Sequence, residues 1–406
     1  MYMRKPEVKD LIEKRDWHNL RELATKWAVA DVAELLGDLD KPDRVVFYRS
    51  LPRLLQAEVF AFLDGHDQDA LIRDLTDEEA RHLMANLAPD DRTGLLEELP
   101  AEVTQRLLSL LNSEDLRQAR ELLGYPEESV GRLMTPDYVS VKPDWTIKET
   151  MEEVRRKGRD SETINAVYVT DSVFRLIGAV ALRQLVLGNP EDKIRGIMRV
   201  PAMSASAFDD REEALKLMER YGLPVLPVVD SESTLVGIVT GDDILEVAQE
   251  ETTEDFHKSA AIAPLHTPLK DAKPTLIYRS RVPWLLALAG VYMVSGNIMS
   301  KFEDVIAKVV PLVFFLPLII DSAGDAGSQS ATLLVRALSV GDVQRRRWVQ
   351  VVLREVLISL VLGAAMGGTI WVVASYTTSP EVGMIAGLSM MVLVLNSCVT
   401  GITLPF

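Results

Sequence analysis

Val167-Tyr168-Val169-Thr170-Asp171, followed by Leu176-Ile177-Gly178-Ala179-Val180, returns 59 residues later as Leu226-Pro227-Val228-Val229-Asp230, followed by Leu235-Val236-Gly237-Ile238-Val239. Each copy reads as an apolar strand, an acidic turn, a second strand with one glycine, and a helix (181–187 and 242–247). Each is led by Met-containing extended residues, Met134-Thr135-Pro136 and Met198-Arg199-Val200-Pro201, and by an amphipathic helix (147–156 and 212–221). Self-similarity of this kind marks a duplicated supersecondary unit. Residues 133–248 are therefore expected to form two β-α-β-β-α units whose sheets pair.

The flanks differ from this pair and from each other. The chain of 406 residues carries a net charge of −16, yet 48 % of it is hydrophobic and its mean hydropathy is +0.09. Residues 279–406 hold 9 Lys or Arg and 7 Asp or Glu, which leaves 35 and 53 for residues 1–278, so the front is −18 and the back +2. An acidic front argues against nucleic acid as a partner, since that needs basic patches, and fits a surface that collects cations. The single Cys398 excludes a disulfide framework. His18, His66, His82, His257 and His266 lack metal-site spacing. No P-loop, HExxH or nucleophile–His constellation can be assembled, so an enzyme is not expected. The first residues lack an apolar core, so no cleaved signal is expected.

Residues 7–123 read as short amphipathic helices separated by breaks such as Leu51-Pro52, Pro89-Asp90 and Leu99-Pro100. They recur without a strict period, as in an α-solenoid-like pile. Residues 249–278 are a polar connector whose sign changes from acidic (250–255) to basic (Lys258, Lys270, Lys273, Arg279, Arg281). Beyond it, residues 282–300, 309–320, 356–376 and 382–406 are apolar runs, and at ~20 residues per span they give four membrane helices. Arg336, Arg345, Arg346, Arg347 and Arg354 lie between the second and third, against Lys301 and Lys308 after the first. The positive-inside rule puts that loop, and by alternation the N-terminal domains, on the cytoplasmic side of an inner membrane. Phe406 follows the fourth span without a polar flank, so the native chain is expected to continue.

The repeat resembles a tandem of CBS domains, through the Met-Thr-Pro lead-in, the Val-Val-Asp…Leu-Val-Gly-Ile-Val-Thr strands and the Asp-Asp-Ile-Leu helix. The resemblance implies a regulatory module that takes ATP or another adenosine nucleotide, with Asp242 on the ribose. The first copy has Arg183-Gln184 in that region, so one nucleotide site is expected.

The segment 317–332 places Pro317, Gly324, Gly327 and two carboxylates inside an apolar helix, which reads as a break facing a wet cavity. It resembles the pore motif of MgtE-type magnesium channels, Pro…Gly-Gly-Asn-x-Gly-x-Gln-Ser-x-Thr. Pro317, Gly324, Gly327, Gln329, Ser330 and Thr332 match, Ala323 replaces a glycine and Asp325 replaces the asparagine. The order of regions matches too: a superhelical N-domain (1–128), an α+β CBS pair (129–193 and 194–248), a connecting plug helix (249–280) and an all-α transmembrane domain (281–406, incomplete). The resemblance implies a homodimer in a lipid bilayer, with a fifth span that brings a pore aspartate.

Mg²⁺ keeps its water shell and is held by one or two carboxylates plus neutral oxygens. Asp325, Gln329, Ser330 and Asn396 are the candidate pore donors, although Asn396 serves helix packing equally well. Gly363 and Gly367 read as a close helix contact, and Cys398 as a small buried hydrophobe. On the cytoplasmic side, Glu58, Asp90, Asp91, Glu212, Glu219, Asp243, Glu246, Glu251, Glu254 and Asp255 form an acidic surface, each taken singly a solvated helix-face charge. The resemblance implies that Mg²⁺ bridges them when abundant and so closes the pore. Glu58, Asp90, Glu212, Glu246 and Glu254 fall where the family places such ligands, while Gly94 and Gly222 replace further acids. Two other readings stay open: a membrane-tethered nucleotide or divalent sensor without transport, and a transporter of another divalent ion such as Co²⁺, since octahedral oxygen sites accept several metals.

Overall fold

The computed structural model describes residues 5–259, 262–263, 272–339 and 348–403, in two compact units, Met1–Thr252 and Thr253–Phe406. His266, Lys270, Arg345, Arg346, Arg347 and residues 404–406 lie outside the described residues.

The first unit opens with helices Lys5–Glu13 and Trp17–Thr25 and then becomes strictly periodic, contrary to the irregular pile expected. Helices begin at Val29, Lys41, Arg53, Gly65, Asp77, Pro89, Ala101 and Ser113, twelve residues apart. Leu39, Leu51, Leu63, Leu75, Leu87, Leu99, Leu111 and Leu123 mark the same period at the helix ends. Most of these leucines are extended C-caps that turn the chain and plug into the core. Each helix packs on the next but one: Val29–Asp38 on Arg53–Ala61, then Asp77–Asn86, then Ala101–Leu110. Gly65–Asp74, Pro89–Glu98 and Ser113–Leu122 form the second row. The caps differ in kind: a Thr76–Glu79 capping box, Asn112, and Pro42 and Pro89 in first turns, where a missing N–H costs nothing.

The CBS region holds two three-stranded sheets, β1 (Ser140–Val141), β2 (Ala166–Thr170) and β3 (Leu176–Ala181), then β4 (Ala205–Ser206), β5 (Val225–Val229) and β6 (Leu235–Thr240). In both sheets the first pair is parallel and the second antiparallel. The expected strands and helices are present, but the lead-ins are exchanged. Thr135, ahead of the first unit, pairs with Ile238 on β6 through two hydrogen bonds of 2.9 Å. Arg199, ahead of the second, pairs with Ala179 on β3 at 2.9 and 3.3 Å. The hairpin tips are cross-linked as well, Leu176 N–H to Ser233 O and Leu235 N–H to Phe174 O, both 3.0 Å. Glycine on β3 and β6 is explained by this crossing. A Cβ on Gly178 would fall 2.9 Å from Arg199 O, and one on Gly237 2.9 Å from Thr135 O.

Two helices are seen among the described residues of the connecting segment. Gly241–Ser259 starts inside the second CBS unit, residues 262–263 and 272–273 have no regular structure, and Pro274–Ser300 runs on through the first apolar run. A single helix over 249–280 is not what the described residues form.

Among the described residues four helices are long and apolar enough to cross a membrane: Pro274–Ser300, Val310–Leu338, Trp348–Thr377 and Pro380–Thr403. The break expected at 317–332 is absent, because Leu316–Ser339 is one continuous helix. The irregularity lies upstream, at Phe314-Phe315, after the short helix Val310–Val313. Pro317 sits in the first turn, where no hydrogen bond is lost. The glycine at 327 serves contact rather than a turn: a Cβ there would lie 2.2 Å from Ser397 Oγ, and one on Gly401 2.3 Å from Gly327 O. Gly363 and Gly367 meet Met391 and Gly387 in the same manner, and Cys398 is buried beside Ile319, Ala323, Ala326 and Met390.

Candidate functional site

Asp90 and Asp91 stand in the first turn of Pro89–Glu98, where the helix dipole favours carboxylates. Asp242 and Asp243 occupy the same place on Gly241–Ser259, directly after β6, and Glu246 follows one turn later. Glu162 lies in the loop after helix Ile147–Lys157, fixed by its N–H to Asp137 O at 2.9 Å. The fold of the first unit brings these three segments, 71 to 156 residues apart, into one another's electric field.

Burial pushes the Asp91 carboxyl up to about 7, and the charges of Asp243, Glu162, Glu246 and Asp242 push in the same direction. Asp90 is raised by burial, then by Asp243, Asp91 and Glu162, with only the Asp91 N–H opposing. Its Oδ1 is buried with no hydrogen-bond partner. Burial also raises Asp243, against hydrogen bonds from Thr240, and the charges of Asp242 and Glu246 add to it. Glu162 and Glu246 are raised as well, burial again coming first. Thr240 Oγ1 touches both Asp242 and Asp243, the latter at 2.6 Å. One hydroxyl proton serves one of them.

The nearest arginine in sequence does not neutralise the group. Arg92 is buried and turned away, onto Met84 O at 3.1 Å, Asp115 at 3.5 Å and Gln118. No cation is among the main influences on Asp90, Asp91 or Asp243.

Of the ten acidic candidates, four (Asp90, Asp91, Asp243, Glu246) meet here. Glu212 pairs with Lys216 at 3.1 Å, Glu251 with Arg211 at 3.2 Å and Glu254 with Lys258 at 2.5 Å. Glu58 and Glu219 are exposed on separate helices, and Asp255 is half-buried on Gly241–Ser259. Glu162 and Asp137 were missed, because a loop acid has no helical spacing to betray it. Among the described residues no three of His, Cys, Asp and Glu converge tightly enough to hold a bare metal ion. The orphaned oxygen and the uncompensated hard-oxygen donors instead fit a divalent ion that keeps its water, as Mg²⁺ does.

Asp242 is exposed, so its carboxylate can accept ribose hydroxyls. In the first unit Gln184 is spent on capping its own helix, through Ala181 N–H at 3.2 Å.

In the second unit, Asp325, Gln329 and Asn396 are exposed, on faces turned from the helix packing, and Gly324 has open space around it. Ser330 is buried. Its Oγ reaches Glu355 Oε1 of the third span at 2.5 Å, a carboxylate the sequence reading passed over.

Residues 27–128 match the family model of the MgtE intracellular N domain, 130–187 and 194–250 that of the CBS domain, and 316–406 that described as a divalent cation transporter. The chain is 33 % identical over 402 residues to the magnesium transporter MgtE of Thermus thermophilus, covering 98 % of this chain and 89 % of that one. It is 30 % identical over 390 residues to MgtE of Bacillus subtilis, covering 93 % and 86 %. Among solved structures, the cytosolic domain of the Mg²⁺ channel MgtE in complex with ATP superposes with a TM-score of 0.58 at 33 % identity, over 60 % of this chain and all of that one. A helical stack, a CBS pair and, among the described residues, four apolar helices together define a membrane transporter with an attached N domain and CBS pair. The chain belongs to the MgtE family of magnesium transporters.

Proposed function

We propose that this chain carries Mg²⁺ across a bacterial inner membrane as a homodimer, with its helical and CBS domains in the cytoplasm, and that cytoplasmic Mg²⁺ closes the path. The observation that carries the gating half is the buried, partnerless Asp90 Oδ1 beside Asp91 and Asp243, on none of which a cation is among the main influences. Without a divalent ion, like charges push Pro89–Glu98 away from the start of Gly241–Ser259. With hydrated Mg²⁺ between Asp90, Asp91, Asp243 and Glu246 the repulsion becomes attraction, and the helix leading to the first span is held. The exposed Asp325, Gln329 and Asn396 are the oxygen donors assigned to the permeation path, and Arg336 and Arg354 beside the second and third spans support a cytoplasmic loop there.

In proteoliposomes the full-length protein is expected to take up Mg²⁺, and Asp325→Ala to abolish uptake. A properly inserted protein that moves no Mg²⁺ overturns the reading in favour of a sensor without transport, and uptake of Co²⁺ in preference to Mg²⁺ reassigns the cargo.

The exposed Asp242 supports a second, regulatory ligand, an adenosine nucleotide held through its ribose. Calorimetric titration with ATP is expected to give one site per chain, weakened about tenfold by Asp242→Ala, the worth of one charge-assisted hydrogen bond. Unchanged affinity in that variant removes Asp242 from the site.

A further inference from the structure

Glu355 belongs to none of the groups above. It is the eighth residue of Trp348–Thr377, a helix of 30 residues and so about 45 Å long, against a hydrocarbon core of ~30 Å. Glu355 stands at the rim of the apolar run 356–376, directly after Arg354. A carboxylate turned onto a neighbouring membrane helix at that edge is costly unless it is paired, and is retained for a purpose. Its side chain is half-buried against the second span and receives the Ser330 hydroxyl. Thr332, Thr369, Thr377, Thr400 and Thr403 bond back to carbonyls of their own helices, and Ser330 Oγ has such a partner too, Ala326 O at 3.1 Å; its shorter contact, to Glu355, is the one that crosses between helices.

Ser330 sits on the packing face of Leu316–Ser339, with Ile319, Ala323, Ala326, Gly327 and Leu334. Asp321, Asp325, Ser328 and Thr332 follow one another at four, three and four residues on the exposed side. Gly327 fixes the distance of this helix from Pro380–Thr403, and Ile319, Ala323 and Ala326 pack with Met390, Val394 and Cys398 of that helix. The Ser330 hydroxyl, three residues further along, adds a directional contact by donating to the third span.

We infer that Glu355 is a positioning residue for permeation: through Ser330 it holds the rotation of the second span, so that Asp325 and its neighbours stay on the exposed face. This rests on the transport reading for its consequence, but its geometry can be tested without transport. In a Cys398→Ala background of the full-length protein in vesicles, Ser328→Cys reports the rotation through its rate of labelling by a water-soluble thiol reagent, and Mg²⁺ uptake is measured in parallel. Ser330→Ala and Glu355→Leu are each expected to change the labelling rate and to lower maximal uptake about tenfold, the worth of one hydrogen bond to a carboxylate. Half-saturating Mg²⁺ should stay within about twofold, since the group binds no ion. The double variant should be no worse than either single one, and Glu355→Gln, which still accepts from Ser330, should recover most of the rate. Ser330→Ala is a small change that folds even where Glu355→Leu does not. Unchanged labelling in Ser330→Ala overturns the inference, as do additive effects or a Glu355→Gln variant as impaired as Glu355→Leu, which would place the charge itself on the ion path. A wild-type protein without uptake but with the labelling shifts intact sinks only the transport reading.

Discussion

Without divalent cations, residues 1–252 lose stability as the pH rises from about 4 to 7, and Mg²⁺ restores it on the alkaline side only. The direction follows from Asp91, raised from 3.8 to about 7 in the folded protein. Between these values the native state holds a proton that the unfolded chain has released, so stability falls with pH. A rise from 3.8 to about 7 corresponds to about 4 kcal/mol, but Asp91 is exposed, and screening reduces this to on the order of 1–2 kcal/mol. Asp90 and Asp243 are raised by the same burial and mutual repulsion and steepen the slope. Mg²⁺ must displace the retained proton, so its apparent affinity should weaken towards tenfold per unit of pH below about 7. Asp91→Asn should flatten the pH dependence, stabilise the divalent-free unit at pH 8 and weaken its response to Mg²⁺. Urea unfolding of residues 1–252 at several pH values, with and without Mg²⁺, reads all three. A stability that rises over this window, or equal protection by monovalent salt of matched ionic strength, would show that the carboxylates are not in conflict.

The repeat at 167–180 and 226–239 was legible because a strand pair with a central glycine has a local pattern of period two, and its duplication is visible as text. The exchange of lead-ins was not, since Thr135 to Ile238 and Arg199 to Ala179 are long-range backbone pairings with no side-chain code. The clue lay in Gly178 and Gly237, whose missing Cβ atoms make room for the crossing chain. The twelve-residue period of the N-terminal helices was written in the leucines from 39 to 123, but the faces between them vary in composition, and breaks drew attention to proline instead. At the carboxylate site the helix-borne acids could be picked by type, whereas Glu162 could not, because only the tertiary fold brings its loop to Asp91. Glycine in 317–332 was misread as turn chemistry. In a membrane helix the same residue is as often a surface for another helix, and a side chain at 327 would strike Ser397. Glu355 had a signal that was overlooked: an acid at the rim of an apolar run is itself unusual.

Replacing Gly401 or Gly387 with valine is expected to separate the helices of the second unit and abolish transport. A Cβ at 401 would stand 2.3 Å from Gly327 O, and one at 387 would stand 2.7 Å from Gly367 O, backbone atoms that no rotamer can move. Helices in lipid gain little from burying apolar surface and depend on close van der Waals contact, so forcing them apart removes much of what joins them. The overpacking cost is about 3 kcal/mol or more; for Gly401 it falls on the contact that sets the second span against the fourth, and for Gly387 on the contact of the third with the fourth. Gly368 and Gly324 provide the contrast, with nothing within 4 Å of their would-be Cβ atoms. Gly368→Ala should be neutral or stabilising by up to ~1 kcal/mol through helix propensity. Thermal unfolding of the full-length protein in detergent, followed by Mg²⁺ uptake after reconstitution, separates the outcomes. A Gly401→Val protein that is as stable and active as the wild type would mean that Leu316–Ser339 and Pro380–Thr403 do not touch in the working molecule. The assignment of Asp325 and Asn396 to one path rests on the packing of those two helices and would fail with it.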